Sequence, residues 1–232
     1  MNEVETIEVV STPGNSVETL EFTKRHILSY SILKRCFDII ISSIMMIFLL
    51  PIFLVVFIAI KMEDRGPTFY KQIRTGKNGE DFAIFKFRSM KNITEINGHK
   101  LTHDERVTKI GKFLRRTSID ELPQIINVLR GEMSIIGPRP WIPEYYENFT
   151  EKQKHRCDVL PGITGLAQAR GRNGLTVFEK INYDLKYGKE MSFKLDLKIL
   201  KETFSIVSRE EHAEIIQEDM YEEIRQLKEQ DR

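Results

Sequence analysis

Residues 39–60, IIISSIMMIFLLPIFLVVFIAI, form an uncharged run of 22 residues in a chain of 232. At about 1.5 Å per residue a straight helix of that length reaches roughly 33 Å, enough to cross the hydrocarbon core of a bilayer. A single transmembrane anchor is one reading; the run is too long and too far from Met1 for a cleaved signal peptide. Three details favour a helix that dips into one leaflet and returns. Pro51 stands mid-segment, where it removes a backbone donor and clashes with the preceding turn, so a kink is expected. Ser42 and Ser43 offer hydroxyls to the carbonyls so released. Lys24, Arg25, Lys34 and Arg35 precede the run and Lys61, Arg65, Lys71 and Arg74 follow it, which holds both flanks on the cytoplasmic side.

The rest of the chain is long enough for one domain with a real core. With 35 basic and 34 acidic residues, its net charge of +1 provides no global field for nucleic acid, and no nucleic-acid partner is expected. The charge is unevenly placed. The first 23 residues hold five glutamates and no Lys or Arg, and residues 210–232 hold nine acids against three basic residues, so the middle is basic. Cys36 and Cys157 are far apart and form no metal or disulfide pattern, which fits a reducing, cytoplasmic setting.

Downstream of the apolar run, residues 70–74 and 82–87 read as two strands of a β-hairpin, with Asn78-Gly79 as the turn signal between them. A helix is expected from Thr108 through KIGKFLRR, and a second from Ser118, where Ser118 and Glu121 have capping-box spacing. Gly137-Pro138-Arg139-Pro140 must be a rigid loop. Helical patterns return at 144–159, 178–187 and 193–207. In the last of these, Leu197, Leu200, Phe204 and Val207 recur at helical spacing among Lys194, Lys198 and Lys201, a pattern for core packing or for a membrane surface. Beyond Arg209, Ile216, Met220, Ile224 and Leu227 form a stripe that either packs on the core or pairs two copies into a homodimer.

The chemistry concentrates in residues 114–140, LRRTSIDELPQIINVLRGEMSIIGPRP. Asp120 and Glu121 stand there among Arg115, Arg116, Arg130 and Arg139. The plain reading is a capping box plus a favourable charge at a helix N-terminus. The chemical reading is a carboxylate that ligates Mg²⁺ together with substrate phosphates, or attacks phosphorus as a nucleophile, while nearby cations neutralise the phosphates. The candidate substrate-binding cations are Lys86, Arg88, Arg115, Arg116 and Arg139. Lys86 and Arg88 share a strand face by alternation, with salt bridging as their plain reading. Arg115 and Arg116 can equally be a solvated helix face. Flanking prolines fix the backbone of Arg139, which lowers the entropy cost of presenting its guanidinium. Trp141, Tyr145 and Tyr146 fit either the core or an interfacial aromatic belt.

In order along the chain, KRCFDIIISS with Pro51, GPTFYKQIRTGKNGEDFAIFKFRSM, DERVTKIGKFLRRTSIDELPQIINVLRGEMSIIGPRP, LPGITGLAQARGR and YDLKYGKEMSFKLDLKIL resemble the bacterial sugar transferases, the monotopic polyprenyl-phosphate phosphoglycosyl transferases. The resemblance covers residues 33–207. It implies an α+β, mainly helical fold. This comprises a re-entrant membrane helix kinked at Pro51 (33–61) and a catalytic domain with the hairpin and interfacial helices (62–207); outside the resemblance, the polar composition of 1–32 reads as a flexible tail and 208–232 as a charged helical extension. It implies an enzyme of the bacterial inner membrane, with its catalytic domain on the cytoplasmic face. That enzyme moves a phospho-sugar from a UDP-sugar to a polyprenyl phosphate, typically undecaprenyl phosphate, and releases UMP to begin glycan assembly. By the same match Asp120 is the nucleophile, and Glu121 supports Mg²⁺ or assists the acceptor. Arg115, Arg139 and Lys86 hold phosphate. The chain departs from many relatives in having Leu50-Pro51 where they carry Ser-Pro at the kink.

Overall fold

The apolar run folds as part of one long helix. A computed structural model describes residues 16–93, 95–96, 99–171, 174–208, 223–225 and 227, and its first element is α1 (Ser16–Asp64), which contains Pro51. Residues 16–32, expected within a flexible tail, are instead helical. The Glu, Leu, Lys and Arg of VETLEFTKRHIL are good helix formers and extend the helix outward. Residues 1–15 lie outside the described set.

A single stripe of α1 turns toward the protein: Lys34, Asp38, Ser42, Val56 and Ile60 are buried, and Met46, Leu49 and Phe53 half-buried. Ile44, Ile47, Phe48, Leu50, Leu54 and Val55 are exposed on its other faces, a continuous apolar surface of the kind that marks a membrane contact. Both ends of the apolar run dock on the same body. Just before the run, the Lys34 ammonium donates to Asp196 at 2.6 Å, and the Arg35 guanidinium donates to the carbonyls of Val128 and Leu129 at 2.6 and 3.1 Å. At the C-terminal end, the Glu63 carboxylate accepts from the backbone N–H groups of Lys109 and Ile110 at 2.7 and 3.1 Å, and Asp64 pairs with Arg88.

The expected hairpin is present. Strands β1 (Phe69–Thr75) and β2 (Asp81–Phe87) pair antiparallel with Thr75 opposite Asp81. Asn78 (φ 56°) and Gly79 (φ 80°) supply the left-handed turn between them. Two-residue strands β3 (Glu95–Ile96) and β4 (His99–Lys100) and the short helix α2 (His103–Arg106) lead to α3 (Lys109–Arg116). The Thr108 hydroxyl caps α3 by accepting from the Gly111 N–H at 2.8 Å. A 3-10 turn (Ile119–Gln124), α4 (Ile125–Arg130) and β5 (Ser134–Ile136) follow.

The single helix expected over 144–159 is broken into α5 (Pro143–Glu147), α6 (Glu151–Lys154) and a 3-10 turn (His155–Cys157). Thr150 is the reason: its side chain accepts from the Gln153 N–H while Gln153 bonds back, which starts a new helix there. Strand β6 (Gly162–Thr164) pairs parallel with β5, and then α7 (Leu166–Arg170), α8 (Val177–Glu190) and α9 (Phe193–Ser208) complete the body. Trp141, Tyr145 and Tyr146 are core-facing, not a belt: Trp141 packs edge-on to Tyr145 and tilted against Phe149 at 4.8 and 5.5 Å. Ile224 and Leu227 pack on the same cluster. Ile216 and Met220 of that stripe lie outside the described residues.

In α9, Asp196 and Ile199 are buried, whereas Phe193, Leu197, Leu200 and Phe204 are exposed beside Lys194, Lys198 and Lys201. The Phe193 ring centroid lies 6.1 Å from that of Phe37 of α1, so this apolar face begins beside the exposed apolar face of α1.

Candidate active site

The carboxylate pair is presented by a reversal of the chain. Ser118 adopts the left-handed conformation (φ 55°) and its side chain caps nothing, so the expected capping box does not form. The chain instead enters the 3-10 turn of residues 119–124, which tucks Asp120 inward at 8% exposure. Glu121 turns away from the helix end toward two cations. Its Oε1 accepts from the Lys86 ammonium and from Arg139 Nη2, both at 2.7 Å, and its Oε2 lies 3.4 Å from Arg139 Nη1.

Each cation is held by its own scaffold. Lys86 is near the end of β2, and the neighbouring Phe87 is buried against Phe53 of α1 and Phe69 of β1, with ring centroids 5.1 and 5.3 Å apart. Asn127 of α4 stitches β2 to the helical layer. Its Oδ1 accepts from the Phe85 N–H at 3.1 Å, and its Nδ2 donates to the Ala83 carbonyl at 2.8 Å and to Glu132 at 2.7 Å. Arg139 rides the loop that leaves β5. There the Gly137 N–H donates to the Thr164 carbonyl, the Gly162 N–H to the Pro138 carbonyl, and Arg156 Nη2 to the carbonyl of Arg139 itself, at 2.8, 2.9 and 2.8 Å. Arg156 is locked in turn by Asp184 at 2.6 Å.

These surroundings push two neighbouring carboxyls in opposite directions. Burial raises the Asp120 carboxyl, the adjacent Glu121 charge adds to the rise, and Lys86 and Arg115 partly oppose it. Burial acts in the same sense on Glu121, but Arg139 and Lys86 outweigh it and hold that carboxyl well below the usual range. The guanidinium of Arg139 is stabilised by the same contact. Glu121 is thus a fixed anion wedged between cations, and Asp120 is the carboxylate that is less well stabilised when charged. Two carboxylates with diverging environments are the usual mark of divided roles.

Of the candidate residues, the structure brings Asp120, Glu121, Lys86, Arg115 and Arg139 together. Arg88 lies elsewhere: its buried guanidinium is spent on Asp64 and on the Pro67 and Met90 carbonyls, a clamp between α1 and the hairpin. The alternation that pairs it with Lys86 fails because β2 ends at Phe87. Arg116 is exposed at the end of α3. Sequence reasoning passed over Asn127, Arg156 and Asp184. The available signal was an Asn inside the apolar run IINVL, where a buried amide must find partners.

No group of three acidic, His or Cys side chains suited to a metal occurs among the described residues. The adjacent Asp120 and Glu121 therefore fit only an ion that takes the rest of its shell from phosphate and water, as Mg²⁺ does.

Among known proteins, the family model described as bacterial sugar transferase matches residues 29–210. A sugar transferase of Bacillus subtilis, EpsL, is 42% identical over 169 residues, covering 73% of this chain and 84% of that protein. The UDP-glucose:undecaprenyl-phosphate glucose-1-phosphate transferase of Klebsiella pneumoniae is 45% identical over 180 residues, covering 73% of this chain and 38% of that protein. The galactosyl transferase CpsE of Streptococcus agalactiae is 41% identical over 215 residues, covering 84% of this chain and 46% of that protein. The chain thus spans less than half the length of the last two. The matched region contains the long apolar helix, the hairpin, the carboxylate pair and the Arg139 loop, and the chain belongs to the bacterial sugar transferase family.

Proposed function

We propose that this chain transfers a phospho-sugar from a UDP-sugar to a polyprenyl phosphate, with Asp120 as the nucleophile. The observation that carries the reading is the division of the carboxylate pair, in which Glu121 is immobilised between Lys86 and Arg139 while buried Asp120 stays poorly stabilised as an anion. An Asp120 oxygen attacks the phosphorus attached to the sugar, and the bond from that phosphorus to the bridging oxygen of UMP breaks. UMP leaves with the electron pair. An oxygen of the polyprenyl phosphate then attacks the same phosphorus, and the Asp120 carboxylate departs unchanged. Lys86, Arg115 and Arg139 neutralise charge on the transferred group, and Glu121 keeps two of these cations in register. Asp120 and the outer oxygen of Glu121 would hold Mg²⁺, which when bound supplies further neutralisation of the phosphates.

The arrangement of α1 supports a re-entrant topology. A perpendicular span would leave the catalytic body on one side, whereas here residues 34–35 and 63–64 both dock on it and the lipid-suited faces lie between. The exposed apolar and lysine-rich face of α9 then rests on the same leaflet, with the body on the cytoplasmic side. The names of the Klebsiella pneumoniae and Escherichia coli relatives specify UDP-glucose and undecaprenyl phosphate, which supports the two substrate classes.

Asp120→Asn should abolish UMP release from every UDP-sugar in a panel while membrane association persists. Full activity in that variant would remove Asp120 from the chemistry. UMP or sugar-phosphate release that does not need polyprenyl phosphate would point instead to hydrolysis.

A further inference from the structure

The two cations that hold Glu121 also line a shallow, solvent-open recess with Arg74, Ile84, Gln124 and Pro140. Two of its lining side chains carry buried donors without a partner: the Nε of Arg74 and the Nε2 of Gln124. Gln124 is only 2% exposed, in the same 3-10 turn as Asp120 and Glu121. Arg74 is tethered at its other end, with Nη2 donating to Gln72 at 2.8 Å and Nη1 lying 3.5 Å from the Pro140 carbonyl. Its guanidinium is pushed down to about 10, chiefly by burial and then by the like charge of Arg139. A buried donor with no acceptor is a standing cost that a native fold rarely tolerates without a use. Both orphaned atoms are donors, and the site sets four cations (Arg74, Lys86, Arg115, Arg139) against two carboxylates. An anion with several acceptor oxygens suits both donors and the surplus of positive charge.

We propose that Arg74 and Gln124, with Lys86 and Arg139, form a phosphate subsite of this enzyme. The inference rests on the reading of the protein as a phosphoglycosyl transferase and extends it to two residues outside the Asp-Glu pair and its recognised cations. Arg74 Nε and Gln124 Nε2 donate to non-bridging oxygens of one phosphate, and Arg139 faces it from the opposite wall. A charge-assisted bond from a partly buried guanidinium is among the stronger contacts available to a phosphate.

The test uses the full chain in lipid nanodiscs and UMP as the probe. Arg74→Gln and Gln124→Glu should each raise the Kd for UMP by about tenfold or more, tenfold being about 1.4 kcal/mol. Gln124→Glu keeps the side-chain volume and turns the donor into a competing anion, so it remains informative if Arg74→Gln fails to fold. Steady-state KM values for the UDP-sugar and for polyprenyl phosphate, measured separately, identify whose phosphate is held. A rise for either substrate, larger than any fall in kcat, supports the subsite. UMP affinity and both KM values within twofold of the unaltered chain in Gln124→Glu would overturn it. Failure of the unaltered chain to release UMP with any UDP-sugar would sink the proposed activity instead, and the UMP-binding measurement distinguishes the two.

Discussion

Asp184→Ala tests whether the buried ion pair behind the Arg139 loop holds the site in shape. Asp184 Oδ2 accepts from Nε and Nη2 of Arg156 at 3.1 and 2.6 Å, and the two side chains are 1% and 3% exposed. The guanidinium also stacks 4.4 Å from the Trp141 ring centre and donates to the Arg139 carbonyl at 2.8 Å. Deleting the carboxylate strands a cation in this interior. Breaking one side of a buried pair costs about 3–5 kcal/mol. Because Arg156 retains the carbonyl and the Trp141 face, the expected loss is near the lower end, about 3 kcal/mol. For a chain of this size that is a fall of about 6–12 °C in Tm. The only tryptophan is Trp141, so a fluorescence melt in detergent reads the perturbed region directly. The KM for the UDP-sugar should rise as well, because the carbonyl that Arg156 holds belongs to Arg139, the arginine proposed to hold phosphate. The double variant Asp184→Ala with Arg156→Met removes the stranded charge and should recover part of the lost stability. A Tm within about 2 °C of the unaltered chain in the single variant, or a double variant no more stable than the single, would refute the reasoning.

Three further outcomes follow from the geometry. As the proposed nucleophile Asp120 must be ionised, and burial together with Glu121 raises its carboxyl, so kcat/KM should fall with decreasing pH above the range of an ordinary aspartate. Glu121→Gln removes a raising charge, so the residual activity of that variant should have its acid limb at lower pH; an upward move contradicts the assigned cause. Asp64→Ala leaves the Arg88 clamp without its carboxylate and should cost about 1–3 kcal/mol with membrane association intact, measured by thermal inactivation of washed membranes. A Cβ at Gly137 would run into the Leu160 carbonyl, so Gly137→Ala should lose at least about 3 kcal/mol and nearly all UMP release, and near-normal activity would show that the Arg139 loop is more compliant than its hydrogen bonds imply.

Local signals in the sequence carried the elements that depend on local physics. The hairpin was readable because alternation and Asn78-Gly79 act over a few residues, and α3 because Thr108 caps it. The Ser118 capping box was misread since its spacing was right but its competitor was remote: Lys86 and Arg139, 35 and 18 residues away, draw Glu121 off the helix end. The parallel β5–β6 pair was invisible for the same reason. Two three-residue strands have no periodicity to detect, and their pairing depends on the close approach of Gly137 and Gly162. Arg88 shows the limit of strand alternation, which ends where the strand does.

The stripe of α1 also has a consequence for how the protein is made. Lys34, at the entry to the apolar run, finds its carboxylate on Asp196, 162 residues further along the chain. At about 5–20 residues per second the ribosome delivers that partner roughly 10–30 s after Lys34 emerges. In that interval Lys34 has only Asp38, one turn along the same face, as a nearby opposite charge, and Asp38 itself later accepts from the Ile135 N–H. Charges on that face resist full burial in hydrocarbon, so the inward stripe of α1 is matched to the protein body and becomes neutral only once α9 has been made.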